Sequence, residues 1–254
     1  MDKPRVWDRF LTEQDKAHLG IVKRTRVGFG QRPALLLIDN YRGVLGDKPE
    51  PLLDMIKTWP GGMGEWGWEG LRNVQKLLFA AREAGIPVIH VTGLHEDDSG
   101  VPGWREASHR MPPREPRDEA EADRFRRKYD IPDEIAPIKG EVVLRKTSPS
   151  AFWGTPLAGH LNYLGVDTLI VGGESTSGCV RASVVEGCTY RYRMIVAEEA
   201  CYDRHEACHA INLFDMDQKY ADVLFVDEVI QWLRDWKAQQ AGAEPALAGA
   251  GSRG

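Results

Sequence analysis

Six short apolar segments recur along the chain, separated by stretches long enough to hold a helix. They are rich in valine, isoleucine and leucine, and apolar and polar residues do not alternate cleanly within them. This pattern is typical of strands buried on both faces, as in a parallel sheet. The segments are 34–39, 87–92, 142–145, 168–172, 193–197 and 223–226.

Most of the intervals between these segments carry apolar residues at helical spacing. In 69–84 the apolar residues recur with a helical period, and Gly85 follows where a helix C-cap belongs. Alternating strands and helices predict an α/β protein, with three α-β-α layers around a doubly wound, mostly parallel six-stranded sheet. The further predicted helices are 12–19, 155–164, 179–192, 205–220 and 227–239.

The predicted strands and helices all belong to one domain, which we place at 31–240. Residues 1–30 form a polar extension that we expect to lie over a neighbouring surface, and we expect the tail 241–254 to be disordered. Two stretches interrupt the alternation inside the domain. They are 41–68, which contains WPGGMGEWGW, and 99–137, which is rich in proline and charge.

The composition excludes several classes of protein. With 42% hydrophobic residues and a net charge of −5, the chain is not a disordered protein. No apolar run reaches the roughly 18 residues of a membrane helix, and the first residues lack the apolar stretch of a signal peptide. Four cysteines are too few for a disulfide scaffold. We therefore expect a cytoplasmic protein with reduced thiols that binds neither membrane nor nucleic acid.

Cys179 is placed where a reactive cysteine is expected, in the turn GGESTSGCVR between a strand and a helix. Ligands of open α/β sheets bind beyond the carboxyl ends of the strands. The positive end of a helix favours the thiolate, and the free N–H groups of such a turn can hold an oxyanion. The other interpretation is a small buried cysteine that only packs the helix against the sheet. At this position in the chain the two interpretations are about equally well supported.

Two charged residues also end predicted strands. Asp39 ends the first strand and Lys146 ends the third. Taken singly, Asp39 is typical of a turn or helix cap and Lys146 of a solvated lysine. At the ends of three strands of one sheet, however, their side chains and that of Cys179 can converge, and a carboxylate, an ammonium and a thiol together can cleave an amide.

Histidine is the usual partner of a catalytic cysteine, so a Cys–His site is a second hypothesis. His90 lies inside a predicted strand and His95 follows it, whereas His205 and His209 share a predicted helix. The spacing of these residues does not decide between a Cys–His and a Cys–Asp–Lys site.

Three other functions receive weaker support. Cys201, Cys208 and His209 have a spacing that fits no standard pair of zinc ligands. A redox enzyme that pairs Cys179 with Cys188 or Cys201 remains an alternative. The glycines of GGMGEWGWEG do not directly follow a strand, so a dinucleotide-binding loop is unsupported.

Four segments together resemble the isochorismatase-like cysteine hydrolases, and most of all their N-carbamoylsarcosine amidase and maleamate amidase branch. The resemblance runs from about Arg32 to Leu233. It is carried by ALLLIDNYRG, VLRKTSPSAFWGTPL, STSGCVRASVVEG and DRHEACHAINLFDMDQKYADV.

The resemblance implies a catalytic triad of Asp39, Lys146 and Cys179. It also implies a cis peptide bond between Glu174 and Ser175, with the N–H groups of Ser175 and Cys179 as the oxyanion hole. Arg204 occupies the position of an arginine that holds the substrate carboxylate in this branch.

The same resemblance places three aromatic residues, Tyr41, Phe152 and Trp153, at the substrate pocket. Nicotinamidases of the superfamily bind a metal through an Asp-x-His motif after the second strand, and HVTGLHEDD does not match it. We therefore expect no metal and no organic cofactor. The family also implies a homo-oligomer, either a tetramer or a dimer.

The implied activity is hydrolysis of a linear, non-peptide C–N bond in a small amide or in a carbamoyl or ureido compound. We expect a substrate that bears a carboxylate, a thioester intermediate and the release of ammonia. A non-catalytic binding protein on the same fold remains an alternative, because a fold does not determine a function.

Overall fold

The computed structural model describes residues 3–95 and 115–243, except for the side chains of the last two residues. The predicted strands form one six-stranded sheet in the order β3-β2-β1-β4-β5-β6, and every neighbouring pair is parallel. The strands are β1 (Pro33–Ile38), β2 (Val88–Gly93), β3 (Val142–Lys146), β4 (Thr168–Glu174), β5 (Arg193–Tyr202) and β6 (Asp222–Leu224). The predicted fold class is thus confirmed, and the sheet is entirely parallel.

Helices cover both faces of this sheet. One apolar core lies under α4 and α9, and the other lies under α6, α7 and α8. The helices are α1 (Glu13–Ile21), α2 (Arg42–Leu45), α3 (Leu52–Thr58), α4 (Gly64–Ala84), α5 (Glu119–Arg127), α6 (Leu157–Tyr163), α7 (Arg181–Thr189), α8 (Glu206–Lys219) and α9 (Val226–Ala243). Among the described helices, none is long and apolar enough to cross a membrane.

The long predicted connection at 41–68 contains helical structure that the sequence pattern did not predict. It holds α2, α3 and the first residues of α4, which begins at Gly64. The tryptophan-rich segment is therefore partly helical, and Trp68 donates a hydrogen bond to the carbonyl of Leu45 at 2.6 Å. Glycines within the segment obscured its helical period because glycine has a low helix propensity.

Strand β5 is five residues longer than predicted and runs to Tyr202. The prediction ended it before Glu198 and Glu199 because charged residues interrupt the apolar pattern. In the structure, Glu198 pairs with Arg5 at 2.9 Å and Glu199 with Lys3 at 2.6 Å. The N-terminal extension thus supplies the partners that allow acidic residues inside a buried strand.

The extension packs on the domain of its own chain. Trp7 is buried against Phe214 of α8, with ring centroids 6.1 Å apart. Asp222, at the start of β6, accepts hydrogen bonds from Arg24 at 2.5 Å and from the N–H of Gly28 at 2.7 Å. At the other end of the chain α9 reaches Ala243 rather than residue 239, and the rest of the tail predicted to be disordered lies outside the described residues.

Gly173 permits β1 and β4 to approach each other closely. Its φ is +127°, and a Cβ at this position would collide with the carbonyl oxygen of Ile38. We expect Gly173→Ala to lower the free energy of unfolding by about 3 kcal/mol or more, because it combines a disfavoured backbone conformation with overpacking. Urea unfolding followed by tryptophan fluorescence measures the change.

Gly159→Ala is the matched control, because it lies in α6 and a Cβ there has no neighbouring atom within 4 Å. This substitution should leave stability unchanged or raise it by up to about 1 kcal/mol, since alanine favours the helix. Equal stability of the two variants would contradict the close approach at Gly173.

Candidate active site

The site lies at the point where the order of the strands reverses. From β1 the chain continues outward to β2 and β3, and it then returns to β4 on the other side of β1. The connection after β1 leads to α4 on one face of the sheet, whereas the connection after β4 leads to α7 on the opposite face. Such a divergence opens a crevice beyond the strand ends.

Asp39 follows β1 directly and lies in this crevice. Its φ is +54°, a left-handed conformation that aspartate tolerates better than most residues, so the chain turns sharply at the strand end. Its side chain is buried, and Oδ2 lies 2.7 Å from the Lys146 Nζ. Oδ1 is also buried and has no hydrogen-bond partner in the described part of the chain. It is therefore the oxygen available to accept a proton.

Lys146, the last residue of β3, links the other two residues of the predicted triad. It is in register with Gly93 of β2, so its long side chain spans β2 to reach Asp39. Besides its 2.7 Å contact with Asp39, its Nζ donates to the Ser148 carbonyl at 2.9 Å and to the Cys179 Sγ at 3.4 Å. The residue is only 8% exposed, and its three contacts provide partners for all three ammonium hydrogens.

Cys179 lies in a single π-helical turn, Thr176–Val180, that continues directly into α7. The sequence predicted a helix that begins at Cys179. In the structure the helical turn begins three residues earlier, at Thr176, and Cys179 lies within this first turn. Cys179 is half-buried, and the peptide bond between Glu174 and Ser175 just before the turn is cis, at the position that the family resemblance indicated.

The charges around Cys179 correct one prediction from the sequence. Burial and the neighbouring Asp39 carboxylate raise the pKa of the thiol above its ordinary value, and Lys146 lowers it only in part. Burial also lowers the pKa of Lys146, but Asp39 and Cys179 outweigh this effect and raise it overall. The resting site therefore holds a thiol, a carboxylate and an ammonium. The full negative charge of Asp39 raises the pKa of the thiol more than the partial positive charge at the helix N-terminus lowers it.

Two side chains, one directly after β5 and one in α8, hold the turn that carries Cys179. Oδ2 of Asp203 accepts hydrogen bonds from the Ser177 N–H at 2.8 Å and the Ser177 hydroxyl at 2.6 Å. Thr176 is hydrogen-bonded to the ring of His209 at 2.8 Å, and burial lowers the pKa of that histidine to about 4. His209 is thus a neutral structural residue, and neither it nor Asp203 was assigned this role from the sequence.

Arg204 lies close to the turn that carries Cys179, because Asp203 contacts both Ser177 in that turn and Arg204 itself. The Arg204 N–H donates to Asp203 Oδ1 at 2.8 Å, and its guanidinium donates to the carbonyl of Gly61 at 2.6 Å. The side chain is half-buried, so N–H groups remain for a ligand. Gly61 comes from the tryptophan-rich stretch, whose part in the site the sequence did not reveal.

Glu174 is a second buried acid at the site, and the sequence singled it out only as part of the cis peptide bond. Burial and the charge of Asp39 raise the pKa of its carboxyl group to about 8, despite the opposing effects of Arg204 and Lys146. It ends β4 in register with Tyr202 of β5. A glutamate at the end of an apolar strand was the only signal, and the sequence alone did not show that it is buried.

The three aromatic residues predicted to bind substrate have different surroundings in the structure. Tyr41 lies close enough to Asp39 and Glu174 for their charges, together with burial, to raise the pKa of its hydroxyl. Phe152 is buried and stacks on Tyr190 with centroids 5.3 Å apart. Trp153 is 59% exposed. Contact of Phe152 or Trp153 with substrate remains a prediction.

The histidines considered as partners of Cys179 are engaged elsewhere. His90 bonds to Glu141 at 3.0 Å, and His95 bonds to the carbonyl of Arg126 at 3.3 Å. His205 is exposed at the N-terminus of α8. Together with the role of His209 in holding the turn, these contacts favour Lys146 and Asp39 over histidine as the partners of the thiol.

Most of the chain matches a known protein family. The isochorismatase domain family matches residues 33–228, and the chain belongs to that family. It is 37% identical over 213 residues to the maleamate amidohydrolase of Pseudomonas putida, a match that covers 82% of this chain and 90% of the relative. It is 32% identical over 214 residues to the N-carbamoylsarcosine amidase of an Arthrobacter species, covering 83% of this chain and 74% of the relative.

A solved structure supports the fold independently. The cysteine hydrolase of Pseudomonas syringae pv. phaseolicola superposes with a TM-score of 0.71 at 20% sequence identity. The match covers 85% of this chain and all of that one.

The triad predicts opposite effects of its two charged residues on the thiol. Lys146→Met removes the cation that lowers the pKa of Cys179, so the thiolate fraction falls and alkylation by iodoacetamide slows. Asp39→Asn removes the anion that raises this pKa, so alkylation accelerates. Each pKa unit changes the thiolate fraction about tenfold. Mass spectrometry of the Cys179 peptide, sampled over time at pH about 8, measures both rates.

The exposed pair Lys57 and Asp54, 2.6 Å apart on α3, provides matched controls. Lys57→Met and Asp54→Asn should leave the alkylation rate of Cys179 unchanged. Slower alkylation in both triad variants would show that packing of the site, and not its charge, governs the thiol.

Proposed function

We propose that the protein is an amidohydrolase that cleaves a linear, non-peptide C–N bond of a small molecule through a thioester on Cys179. The observation that carries this proposal is the buried Lys146 ammonium, which bonds to both the Asp39 carboxylate and the Cys179 sulfur. A nucleophile, a base and a fixed cation in contact are sufficient for acyl transfer. The two relatives named as amidases support the same type of reaction.

In the first half of the reaction, Asp39 acts as the general base. Its Oδ1 accepts the Cys179 proton as the sulfur attacks the carbonyl carbon of the amide. The N–H groups of Ser175 and Cys179, the predicted oxyanion hole, then stabilise the negative charge on the former carbonyl oxygen. Protonated Asp39 returns the proton to the departing nitrogen, so ammonia leaves and a thioester remains.

In the second half, Asp39 takes a proton from water as the water oxygen attacks the thioester carbonyl. The C–S bond breaks, the acid product leaves, and the proton is returned to the Cys179 sulfur. Throughout the cycle Lys146 keeps its positive charge, because Asp39 and Cys179 raise its pKa. It therefore offsets the single negative charge that moves between the carboxylate and the sulfur.

The substrate class follows from Arg204. A guanidinium binds a carboxylate through two parallel hydrogen bonds and cannot lose its charge, so it would hold an acidic amide in one orientation. Tyr41 lies close enough to Asp39 and Glu174 for their charges, together with burial, to raise the pKa of its hydroxyl, and its ring packs against the apolar core. Amides and carbamoyl or ureido compounds that bear a carboxylate are thus the substrates to test first.

Cys179→Ala should abolish ammonia release from every active substrate while leaving the unfolding midpoint nearly unchanged, because the thiol acts chemically and its loss removes little volume. Cys188→Ala, Cys201→Ala and Cys208→Ala should each retain most of the activity. An enzyme-coupled ammonia assay over small amides measures the four variants. An equal loss at Cys188 would instead support a pair of reactive cysteines.

Arg204→Ala should lower kcat/KM for the best carboxylate-bearing substrate by about 10- to 150-fold, the effect of losing a charge-assisted hydrogen bond. Arg204→Lys should lower it less, because lysine keeps the charge but loses the paired geometry. Arg72→Ala, a change at an exposed position of α4, is the control and should have no effect. Steady-state ammonia release decides the outcome.

Neutral amides of similar size should be cleaved equally well by the wild type and both Arg204 variants. If Arg204→Ala cleaves a carboxylate substrate at the wild-type rate, Arg204 is not the carboxylate-binding residue. The role of Cys179 would stand in that case.

A further inference from the structure

The site contains a carboxyl group that the proposed mechanism does not use. Glu174 is only 5% exposed, and its side chain makes no hydrogen bond or ion pair within the described parts of the chain. An ionised carboxylate without a partner is costly in such surroundings, so the protonated form is favoured.

Glu174 lies at the point where the order of the strands in the sheet reverses. On one side of β4, Gly173 is in register with Ile38 of β1, just before Asp39. On the other side, Glu174 itself is in register with Tyr202 of β5, two residues before Arg204. The Tyr202 hydroxyl donates to Asn40 Oδ1 at 2.8 Å, which joins β5 to β1 across β4. Glu174 therefore lies between the strand ends that carry the base and the arginine.

The charges that face Glu174 come from several elements. Asp39 and Asp203 disfavour its ionised form, whereas Arg204 and Lys146 favour it. The neighbouring hydroxyls of Tyr41 and Tyr202 are neutral at ordinary pH, since burial raises the pKa of both. The Cys179 thiol is neutral at rest. Because its pKa is raised to about 8, Glu174 can change its charge near neutral pH while the triad stays intact.

We propose that Glu174 is a specificity-determining residue that, as a neutral acid, donates a hydrogen bond to the carboxylate held by Arg204, so that an anionic substrate binds together with one proton. This inference rests on the function proposed above and adds a second group to its carboxylate-binding site. If Glu174 were ionised, its charge would oppose that of Arg204 and repel the substrate carboxylate. The protonation state of Glu174 thus selects for anionic ligands at low pH and against them at high pH.

The direction of the pH dependence follows from the raised pKa of Glu174. Below that pKa the free protein already carries the proton, so an anionic ligand binds without proton uptake. Above it, binding must take one proton from solution, and the affinity falls about tenfold for each further pH unit. A neutral ligand imposes no such requirement.

Isothermal titration calorimetry of the Cys179→Ala protein tests this directly, because the variant binds without turnover and lacks the thiol. The probes are succinamate and N-carbamoylglycine, two small amides that bear a carboxylate. Each is titrated in two buffers of different ionisation enthalpy at about pH 6.5 and about pH 9. We expect almost no proton uptake at the lower pH, close to one proton at the higher pH, and roughly tenfold weaker binding there.

In the Cys179→Ala/Glu174→Gln protein, uptake should be absent at both pH values and the affinity independent of pH, since glutamine can donate the hydrogen bond but cannot titrate. Uptake that persists in this variant would overturn the proposal. So would the absence of uptake at the higher pH while Glu174 is intact, or the failure of both probes to bind. Ammonia release by the wild type from neutral amides tests the proposed function separately.

Discussion

The contact between Lys146 and Asp39, 2.7 Å apart in the crevice at the strand ends, is the interaction on which the site depends. Two opposite charges taken out of water are tolerated only as a pair with further hydrogen bonds, and Ser148 and Cys179 supply them to the lysine. The pairing joins β3 to the end of β1, because the lysine side chain is long enough to span β2. Removal of either charge would leave the other buried and unpaired.

This pair determines the chemistry available to Cys179. Burial and the Asp39 carboxylate favour the protonated thiol in the resting site, because the Lys146 ammonium offsets them only in part. In the proposed mechanism this proton is transferred to Asp39 Oδ1, which has no hydrogen-bond partner within the described residues. The proposed transfer would keep the net charge of the triad constant, which would limit the electrostatic cost of the reaction in a buried crevice.

The surroundings of the triad are built from parts of the chain that lie far apart in sequence. Asp203 holds the turn before Cys179, Gly61 holds the guanidinium of Arg204, and Tyr202 joins β5 to Asn40. The N-terminal extension contributes at a distance, because its basic residues pair with the acids that allow β5 to continue towards Tyr202 and Arg204. These contacts position the groups that surround the triad.

The sequence alone determined the layers, the six strands and the positions of Asp39, Lys146 and Cys179 at strand ends, because burial on both faces leaves a local apolar pattern that can be read directly. Its similarity to the isochorismatase-like hydrolases added the cis peptide bond and the position of Arg204. The sequence did not determine the length of β5, the raised pKa of the Cys179 thiol, the hydrogen bond from Arg204 to the Gly61 carbonyl or the burial of Glu174. Each of these depends on which distant charge or carbonyl lies within a few ångströms, and only the tertiary structure decides that.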